Sequence, residues 1–256
     1  MKDRILLIDV GNTNTDFAIA TPDCIQRVIT KPTAEILCGS RCGRGLPAAI
    51  LRSGRGLPSP TGCILASVVP AATKALLRQL PVKPIIVTAQ TNLGIGIRYP
   101  NPKQIGADRL ANAVGVVNLY GAPAIVVGFG TAVAFDVVNA RREYVGGVIA
   151  PGIAAMTHYL HEQTALLPRI TPQEPRSTIG KSTVDAMQVG TVIGYRGLVK
   201  EILAALRREP GMADAVVVAT GGYGGLIARK IPGIQHVNPL LTLEGLRFIY
   251  RHLNES

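Results

Sequence analysis

The residues of this chain with the clearest chemical potential follow its first apolar run. Residues 5–8 are all aliphatic, and they lead into Asp9, Gly11 and a row of small polar side chains that ends at Asp16. A buried strand would hold the carboxylate rigidly, and the glycine would let the backbone turn close to a ligand. Because turn amides and hydroxyls can donate to phosphate oxygens, the stretch favours a turn that cradles a metal-bound phosphate. A plain polar turn after a strand is the alternative interpretation.

Three further segments carry residues suited to nucleotide chemistry. Gly-Ala-Asp-Arg at 106–109 is expected at the start of a helix, where backbone amides favour an anion and Asp108 can serve as a general base. Taken alone, this segment favours simple helix capping. Gly-Thr-Ala at 130–132 predicts a second phosphate-type turn. Gly221 and Gly222 follow a predicted strand, and their bare backbone would let a flat base lie against it.

Two common nucleotide motifs do not fit this chain. Gly-Lys-Ser at 180–182 resembles the end of a Walker A motif, but the glycine required five positions before Gly180 is Pro175. Gly-Phe-Gly at 128–130 follows a predicted strand, as a Rossmann turn does, but Val133 stands where the third glycine belongs. A nucleotide would therefore bind through turns of another kind.

Composition and charge limit the class of protein. A chain of 256 residues that is 47% hydrophobic and has no tryptophan suits one large or two small domains of packed α/β layers. The net charge of +11 attracts anions. The basic residues are scattered, apart from a group at 41–55, and are not interleaved with aromatic residues. This pattern favours small anionic metabolites over nucleic acid as partners.

The cysteines and the apolar stretches predict a cytoplasmic location. The four cysteines form no Cys-x-x-Cys pair, and no histidine near Cys38 and Cys42 completes a zinc set, so free thiols are expected. The apolar run near the N-terminus is too short for a signal peptide. The longest apolar stretch, about 122–135, is too short to span a bilayer, so no membrane partner is expected.

The predicted elements occur twice in the same order. A strand at 5–10 leads through a glycine turn to further strands, and a strand from 124 leads through a second glycine turn to another. The other predicted elements are strands at 17–20, 28–30, 64–69, 85–88, 145–149 and 215–220, helices at 72–80, 107–119, 152–166, 183–207 and 243–252, and a loop with a short helix at 39–60. We therefore expect an α/β fold of two pseudo-duplicated halves, residues 1–118 and 119–256, the second including the closing helix. A nucleotide cleft is expected between the halves.

The set of segments resembles a known family. Two phosphate-type turns followed by a Gly-Gly turn resemble the layout of the actin/hexokinase/Hsp70 ATPase superfamily, whose halves are ribonuclease H-like. From about residue 5 to about residue 251 the chain is similar to the type III pantothenate kinases. The matching segments are Asp-Val-Gly-Asn-Thr (9–13), Tyr-Pro (99–100), Gly-Ala-Asp-Arg (106–109), Gly-Thr-Ala (130–132), Gly-Gly-Val-Ile-Ala-Pro-Gly (146–152), Thr-Ala-Leu-Leu-Pro (164–168), Ile-Gly-Lys-Ser-Thr (179–183), Thr-Gly-Gly (220–222) and Leu-Thr-Leu-Glu-Gly-Leu (241–246).

The resemblance implies ATP-dependent phosphorylation of pantothenate to 4'-phosphopantothenate, the first step of coenzyme A biosynthesis, by a homodimer. The ATP contacts that it implies are Asp9, Val10, Gly11, Asn12, Thr13, Asn14, Thr15, Asp16, Thr131, Gly221 and Gly222, with Asp9 reaching Mg²⁺ through a phosphate. The pantothenate contacts that it implies are Tyr99, Gly106, Ala107, Asp108, Arg109 and Thr183. Asp108 would take the proton from the pantothenate hydroxyl.

One segment departs from the family pattern. The second turn of the family reads Asp-x-Gly-Thr-Ala-Thr-Thr-x-Asp, whereas residues 128–136 here read Gly-Phe-Gly-Thr-Ala-Val-Ala-Phe-Asp. In the family, the leading aspartate helps to bind an activating monovalent cation, K⁺ or NH₄⁺. Gly128 has no side-chain oxygen for a hard cation, so we expect this site to be lost, and Asp136 lies too far along the strand to replace it. A weakened homologue that binds nucleotide or pantothenate without efficient turnover is the alternative function.

Overall fold

The computed structural model of the chain describes residues 4–42 and 59–255, so most of the segment interpreted as a loop with a short helix, 39–60, lies outside the described residues. The chain divides into two compact units. One combines the described residues up to Leu119 with those from Leu241 onward, and the other is Tyr120–Leu240. The predicted boundary at 118/119 lies next to the first of these divisions.

The described elements comprise strands, helices and short 3₁₀ turns. In chain order they are β1 (Ile5–Val10), β2 (Asn14–Ala20), β3 (Ile25–Pro32), α1 (Thr33–Cys42), β4 (Gly62–Ser67), α2 (Pro70–Leu77), β5 (Ile85–Ile86), β6 (Gly96–Ile97), a 3₁₀ turn (Pro102–Gln104), α3 (Ala107–Tyr120), β7 (Ala124–Phe129), β8 (Ala132–Val138), β9 (Glu143–Pro151), α4 (Ile153–Gln163), α5 (Thr183–Arg208), β10 (Val216–Thr220), α6 (Gly224–Ile227), a second 3₁₀ turn (Ala228–Lys230), β11 (His236–Val237) and α7 (Leu241–Glu255). Within the described ranges, no helix is long and apolar enough to cross a membrane.

The first unit is built on a sheet with the strand order β3-β2-β1-β4-β5. The central strand β1 runs antiparallel to β2 and parallel to β4. Its aliphatic residues are fully buried, as expected of a strand covered on both faces. This burial fixes the position of the carboxylate at its end.

The closing helix α7 packs in the first unit, against β1 and β4, although the sequence analysis placed it in the second half. It also crosses α3 with the two backbones in close contact. A Cβ added at Gly245 would lie 1.8 Å from the carbonyl oxygen of Ala111, and one at Gly115 would lie 2.6 Å from that of Leu241. These two glycines allow the helices to approach, and a periodic apolar face alone does not reveal which sheet will cover it.

The second unit repeats the topology of the first. Its strands follow the order β9-β8-β7-β10-β11, with antiparallel and parallel pairs in the same places as in β3-β2-β1-β4-β5. The burial pattern along β7 is identical to that along β1, and the pattern along β8 is identical to that along β2. The expectation of an α/β fold made of two ribonuclease H-like halves is therefore confirmed.

Several element boundaries differ from the predicted ones. The strand predicted at 17–20 begins at Asn14, because the β1–β2 pairing continues up to the turn although the side chains there are polar. The helix predicted at 152–166 ends at Gln163. There the backbone of Thr164 becomes extended, and the Thr164 hydroxyl donates to the carbonyl of Leu160 at 2.8 Å.

Candidate functional site

The turn between β1 and β2 comprises residues 11–13. The N–H of Gly11 donates to the carbonyl of Asn14 at 2.9 Å, which closes the turn. Asp9 and Asp16 lie directly opposite each other in the two strands, and opposite residues of an antiparallel pair share a face. The hairpin therefore brings two carboxylates together beside the turn. Asn12, Thr13 and Asn14 are exposed on it.

The surroundings of Asp9 disfavour the charged form of its carboxyl group. Its Oδ1 atom is inaccessible to solvent and has no hydrogen-bond partner in the described part of the chain, although the residue as a whole is only partly buried. Burial, then the neighbouring charges of Asp108 and Asp16, raise the pKa of Asp9 well above the ordinary value of 3.8. Asp16, in contrast, accepts a hydrogen bond from the hydroxyl of Thr30. A cation beside Asp9 would remove this electrostatic penalty.

Asp108 lies in the first turn of α3, close enough to Asp9 to influence its ionisation. Its Oδ1 accepts the N–H of Arg109 at 2.9 Å. Burial raises the pKa of Asp108, while the N–H and the charge of Arg109 oppose the rise. A Cβ at Gly106 would lie 2.5 Å from Asp108 Oδ1, so the glycine leaves the space that the carboxylate occupies. Asp108 thus accepts a hydrogen bond from a backbone N–H in the first turn of α3. Its charge also acts on Asp9, beside the first turn.

The turn between β7 and β8 consists of Gly130 and Thr131, both exposed. The N–H of Gly130 donates to the carbonyl of Ala132 at 3.0 Å. Gly221 lies against this turn with φ of +85°, and a Cβ there would lie 2.6 Å from the carbonyl oxygen of Phe129. Only glycine suits both the conformation and the contact. The second unit therefore brings Gly221 to the base of the turn that carries Thr131, with Gly222 exposed beside it.

The second turn lacks the acidic pair of the first. Gly128 and Ala134 occupy the positions in β7 and β8 that Asp9 and Asp16 occupy in β1 and β2, and they are opposite each other in the same register. Asp136 lies two residues further along β8, fully buried, and accepts a hydrogen bond from the Tyr144 hydroxyl at 3.3 Å.

Two other expected contacts, Tyr99 and Thr183, belong to different units. Tyr99 is half-buried in the first unit, in the loop that precedes α3. Thr183 is exposed at the start of α5, next to Ser182, whose hydroxyl accepts the N–H of Asp185 at 3.1 Å. Thr183 lines an apolar groove of about 460 Å³ in the second unit. The other lining residues are Met156, Leu160, Leu167, Ala186, Met187, Gly190 and Thr191.

Sequence reasoning missed two residues that donate hydrogen bonds to carbonyls of the β1–β2 and β7–β8 turns. Thr33, the first residue of α1, is buried and hydrogen-bonded to the first turn, and Gly152, just before α4, is bonded to the second. The only sequence signal for Thr33 is its type and place, a hydroxyl residue after Pro32 where a helix begins. Gly152 ends the family-matching segment 146–152, but that segment does not reveal its bond to the second turn.

The comparisons with known proteins agree on one family. The sequence profile of the family described as type III pantothenate kinase matches residues 5–205. A type III pantothenate kinase from Akkermansia muciniphila is 50% identical over 245 residues, which cover 94% of this chain and 96% of that protein.

Solved structures show the same fold at much lower identity. A candidate 2-dehydro-3-deoxygalactonokinase from Sinorhizobium meliloti has a TM-score of 0.60 at 16% identity, covering 97% of this chain and 99% of its own. A candidate Baf family transcriptional activator from Campylobacter jejuni has a TM-score of 0.63 at 19% identity, covering 98% and 100%. Both likenesses concern the fold alone.

Proposed function

Because the chain belongs to the type III pantothenate kinase family, we propose that it transfers a phosphoryl group from ATP to pantothenate and forms 4'-phosphopantothenate, the first step of coenzyme A biosynthesis. The observation that supports this most directly is the buried Oδ1 of Asp9, which has no hydrogen-bond partner among the described residues, beside a turn whose residues 12–14 are exposed. A carboxylate that can accept a proton, that of Asp108, lies close enough to influence the ionisation of Asp9.

The residues of the first turn fit a magnesium-bound phosphate. Mg²⁺ prefers oxygen ligands and is commonly held by one or two carboxylates together with substrate phosphates, and Asp9 offers an oxygen that needs a cation. When bound, Mg²⁺ would offset the charge of the phosphates. Val10 is buried in the core, so only its backbone is available to a ligand. We assign ATP contacts to the run from Asp9 to Asp16 and to Thr131, Gly221 and Gly222.

Asp108 is assigned as the general base. Its carboxylate accepts the proton of the pantothenate hydroxyl while that oxygen forms a bond to the γ-phosphorus and the bond to ADP breaks. A base works best when its pKa approaches the working pH, and burial moves the pKa of Asp108 in that direction. Gly106 leaves room for the carboxylate, and the N–H of Arg109 orients it. Tyr99, Ala107, Arg109 and Thr183 complete the proposed pantothenate contacts.

A coupled assay of ADP release, with and without pantothenate, tests this function. Pantothenate-dependent release is the expected result, and its absence across the metals and salts tested would overturn the proposal. The altered second turn supports one alternative, a protein that binds its ligands with little turnover. Calorimetry with MgATP and with pantothenate distinguishes the active kinase from this alternative. Only the alternative predicts that the ligands bind while no 4'-phosphopantothenate is formed.

Gly128 is expected to make the enzyme insensitive to the choice of monovalent cation. Without a carboxylate at this position, neutral oxygens alone would have to offset the dehydration of K⁺. We expect the rate to change by less than about twofold when K⁺ replaces Na⁺ at constant ionic strength. Gly128→Asp should introduce activation by K⁺ or NH₄⁺, whereas Gly197→Asp, at an exposed position of α5, should not. Strong K⁺ activation of the unchanged protein would contradict this assignment.

The apolar groove supports a homodimer. Tyr159, Leu166 and Ile179 are 65%, 90% and 75% exposed, on or beside the elements that line it. A second copy of the chain would cover these side chains, and light scattering should give the mass of two chains. Leu166→Asp should shift that mass toward one chain. We also place the enzyme in the cytoplasm, because Cys24, Cys38 and Cys63 are free thiols.

A further inference from the structure

Thr33 makes three hydrogen bonds to the first turn and the strand that follows it. Its N–H donates to the carbonyl of Thr13 at 2.8 Å, and its hydroxyl donates to the carbonyl of Gly11 at 2.7 Å. Its hydroxyl oxygen lies 3.0 Å from that of Thr15. Because the one hydroxyl proton of Thr33 is directed to Gly11, the Thr15 hydroxyl is the donor in this third bond. Thr33 and Thr15 are 1% and 0% exposed, so the cluster is closed to water.

These bonds fix the direction of the turn amides. A trans peptide unit is planar, so its N–H and C=O point in opposite directions. Since the carbonyls of Gly11 and Thr13 point toward Thr33, the N–H groups of the residues after them, Asn12 and Asn14, point away from it. Both asparagines are exposed. Thr33 therefore directs two backbone donors toward the side of the turn that a phosphate would occupy.

Comparison with the turn between β7 and β8 shows which of these bonds both units share. There the N–H of Gly152 donates to the carbonyl of Thr131 at 3.2 Å, just as the N–H of Thr33 bonds Thr13. A Cβ at Gly152 would lie 2.4 Å from the Thr131 oxygen, so no side chain fits at that place. The backbone bond is thus common to both units. Gly152 has no side-chain hydroxyl, so the bonds that the Thr33 hydroxyl makes to Gly11 and Thr15 have no counterpart from Gly152.

We propose that Thr33 is a positioning residue for the nucleotide phosphates, acting through the carbonyl of Gly11 to hold the turn amides toward the phosphate oxygens. The proposal rests on the assignment of the first turn to ATP. Thr33 is 1% exposed and its hydroxyl is bonded to the carbonyl of Gly11, so its loss should weaken nucleotide affinity without changing the recognition of pantothenate.

The test compares three variants by calorimetry with MgADP and by steady-state kinetics. Thr33→Val keeps the shape and removes the hydroxyl, and it should raise the Kd for MgADP and the KM for ATP about five- to tenfold, the effect of roughly one lost hydrogen bond. The KM for pantothenate should stay unchanged. Thr33→Ser keeps the hydroxyl and should lie within about twofold of the unchanged protein. Thr33→Ala removes the same hydroxyl and replaces the valine variant if that one does not fold.

The matched control is Thr21→Val. Thr21 is 3% exposed and accepts the N–H of Cys24 at 3.3 Å in the β2–β3 connection, away from the turn. A loss of packing alone would affect both valine variants equally, whereas the proposal expects a nucleotide effect only at Thr33. Unchanged nucleotide binding in Thr33→Val and Thr33→Ala, or equal weakening in Thr21→Val, would overturn the inference, as would failure of the unchanged protein to bind MgADP.

The two proposals fail in different ways. If pantothenate gives no turnover but MgADP binds and Thr33→Val weakens it, the substrate assignment is wrong and the role of Thr33 stands. If pantothenate is phosphorylated and Thr33→Val binds MgADP normally, the function stands and the role of Thr33 is wrong.

Discussion

Replacement of Asp108 by asparagine is expected to lower kcat for pantothenate phosphorylation by about a hundredfold or more, while nucleotide binding stays largely intact. Asparagine has nearly the same shape and can still accept the N–H of Arg109 that holds the carboxylate at 2.9 Å. It cannot take a proton from the hydroxyl. The expected signature is therefore a fall in kcat with little change in the Kd for MgADP, measured by the coupled assay and by calorimetry.

Gly106→Ala separates the placement of the carboxylate from its chemistry. The new Cβ would lie 2.5 Å from Asp108 Oδ1, so the carboxylate must move. The base remains but is misplaced, and kcat should fall by less than in Asp108→Asn. Gly197→Ala is the control, since a Cβ there meets no atom within 4 Å. Near-normal turnover in Asp108→Asn would remove Asp108 from the role of base.

The same assignment predicts a pH dependence. Burial raises the pKa of Asp108 above its ordinary value of 3.8, and only the deprotonated form accepts the proton. Activity should therefore decline as the pH falls, beginning above the range in which exposed aspartates titrate. Profiles of kcat and kcat/KM measured between pH 4 and pH 9 check this direction.

The strand-turn-strand units were predictable because local patterns specify them. The aliphatic run at 5–8 and the apolar run at 124–127 each end at a small polar turn, and both fold as buried central strands. The pairing of Asp9 with Asp16 follows from the same hairpin. In these hairpins, residues that are in contact are also close to each other in the sequence.

Residues that act through contacts distant in sequence could not be predicted. Thr33 lies 22 positions after Gly11, whose carbonyl accepts a hydrogen bond from its hydroxyl. The position of Thr33 relative to the turn depends on how the intervening strands β2 and β3 pair. Gly106 gives no hint that it clears space for its neighbour's carboxylate. The helix end at Gln163 was missed because Leu166 and Leu167 continue an apolar pattern, although both lie beyond the helix.

Asp9→Asn is expected to abolish nucleotide-dependent activity and, at the same time, to raise the Tm of the free protein at neutral pH by at least about 2 °C, the shift that roughly 1 kcal/mol gives at this size. The loss follows because a neutral amide cannot supply the negative charge with which a carboxylate would help to hold Mg²⁺ beside the phosphates. The gain follows because the Asp9 carboxylate is buried beside two other acidic groups. Function here would be maintained at a cost in stability.

The pH dependence of the gain has a definite sign. Folding raises the pKa of Asp9, so the folded state holds a proton over a range where the unfolded chain has released it. The stability of the unchanged protein therefore falls as the pH rises from about 4, the value of an unperturbed aspartate, through the raised value. Below that range both states are protonated and the penalty vanishes. The advantage of Asp9→Asn should accordingly be large at pH 7 and small near pH 4.

Thermal melts from pH 4 to pH 8, with and without MgADP, check both halves of the Asp9 prediction. MgADP should raise the Tm of the unchanged protein by binding the folded state and should leave Asp9→Asn unmoved, so that the ligand narrows or reverses the difference between them. Asp214→Asn makes the same charge change at an exposed site in the second unit. It should alter neither the Tm of the free protein nor the increase in Tm that MgADP causes. Equal Tm values for the unchanged protein and Asp9→Asn at pH 7 would contradict the buried-charge argument, whereas a variant that still binds MgADP and turns over would remove Asp9 from the metal-phosphate site.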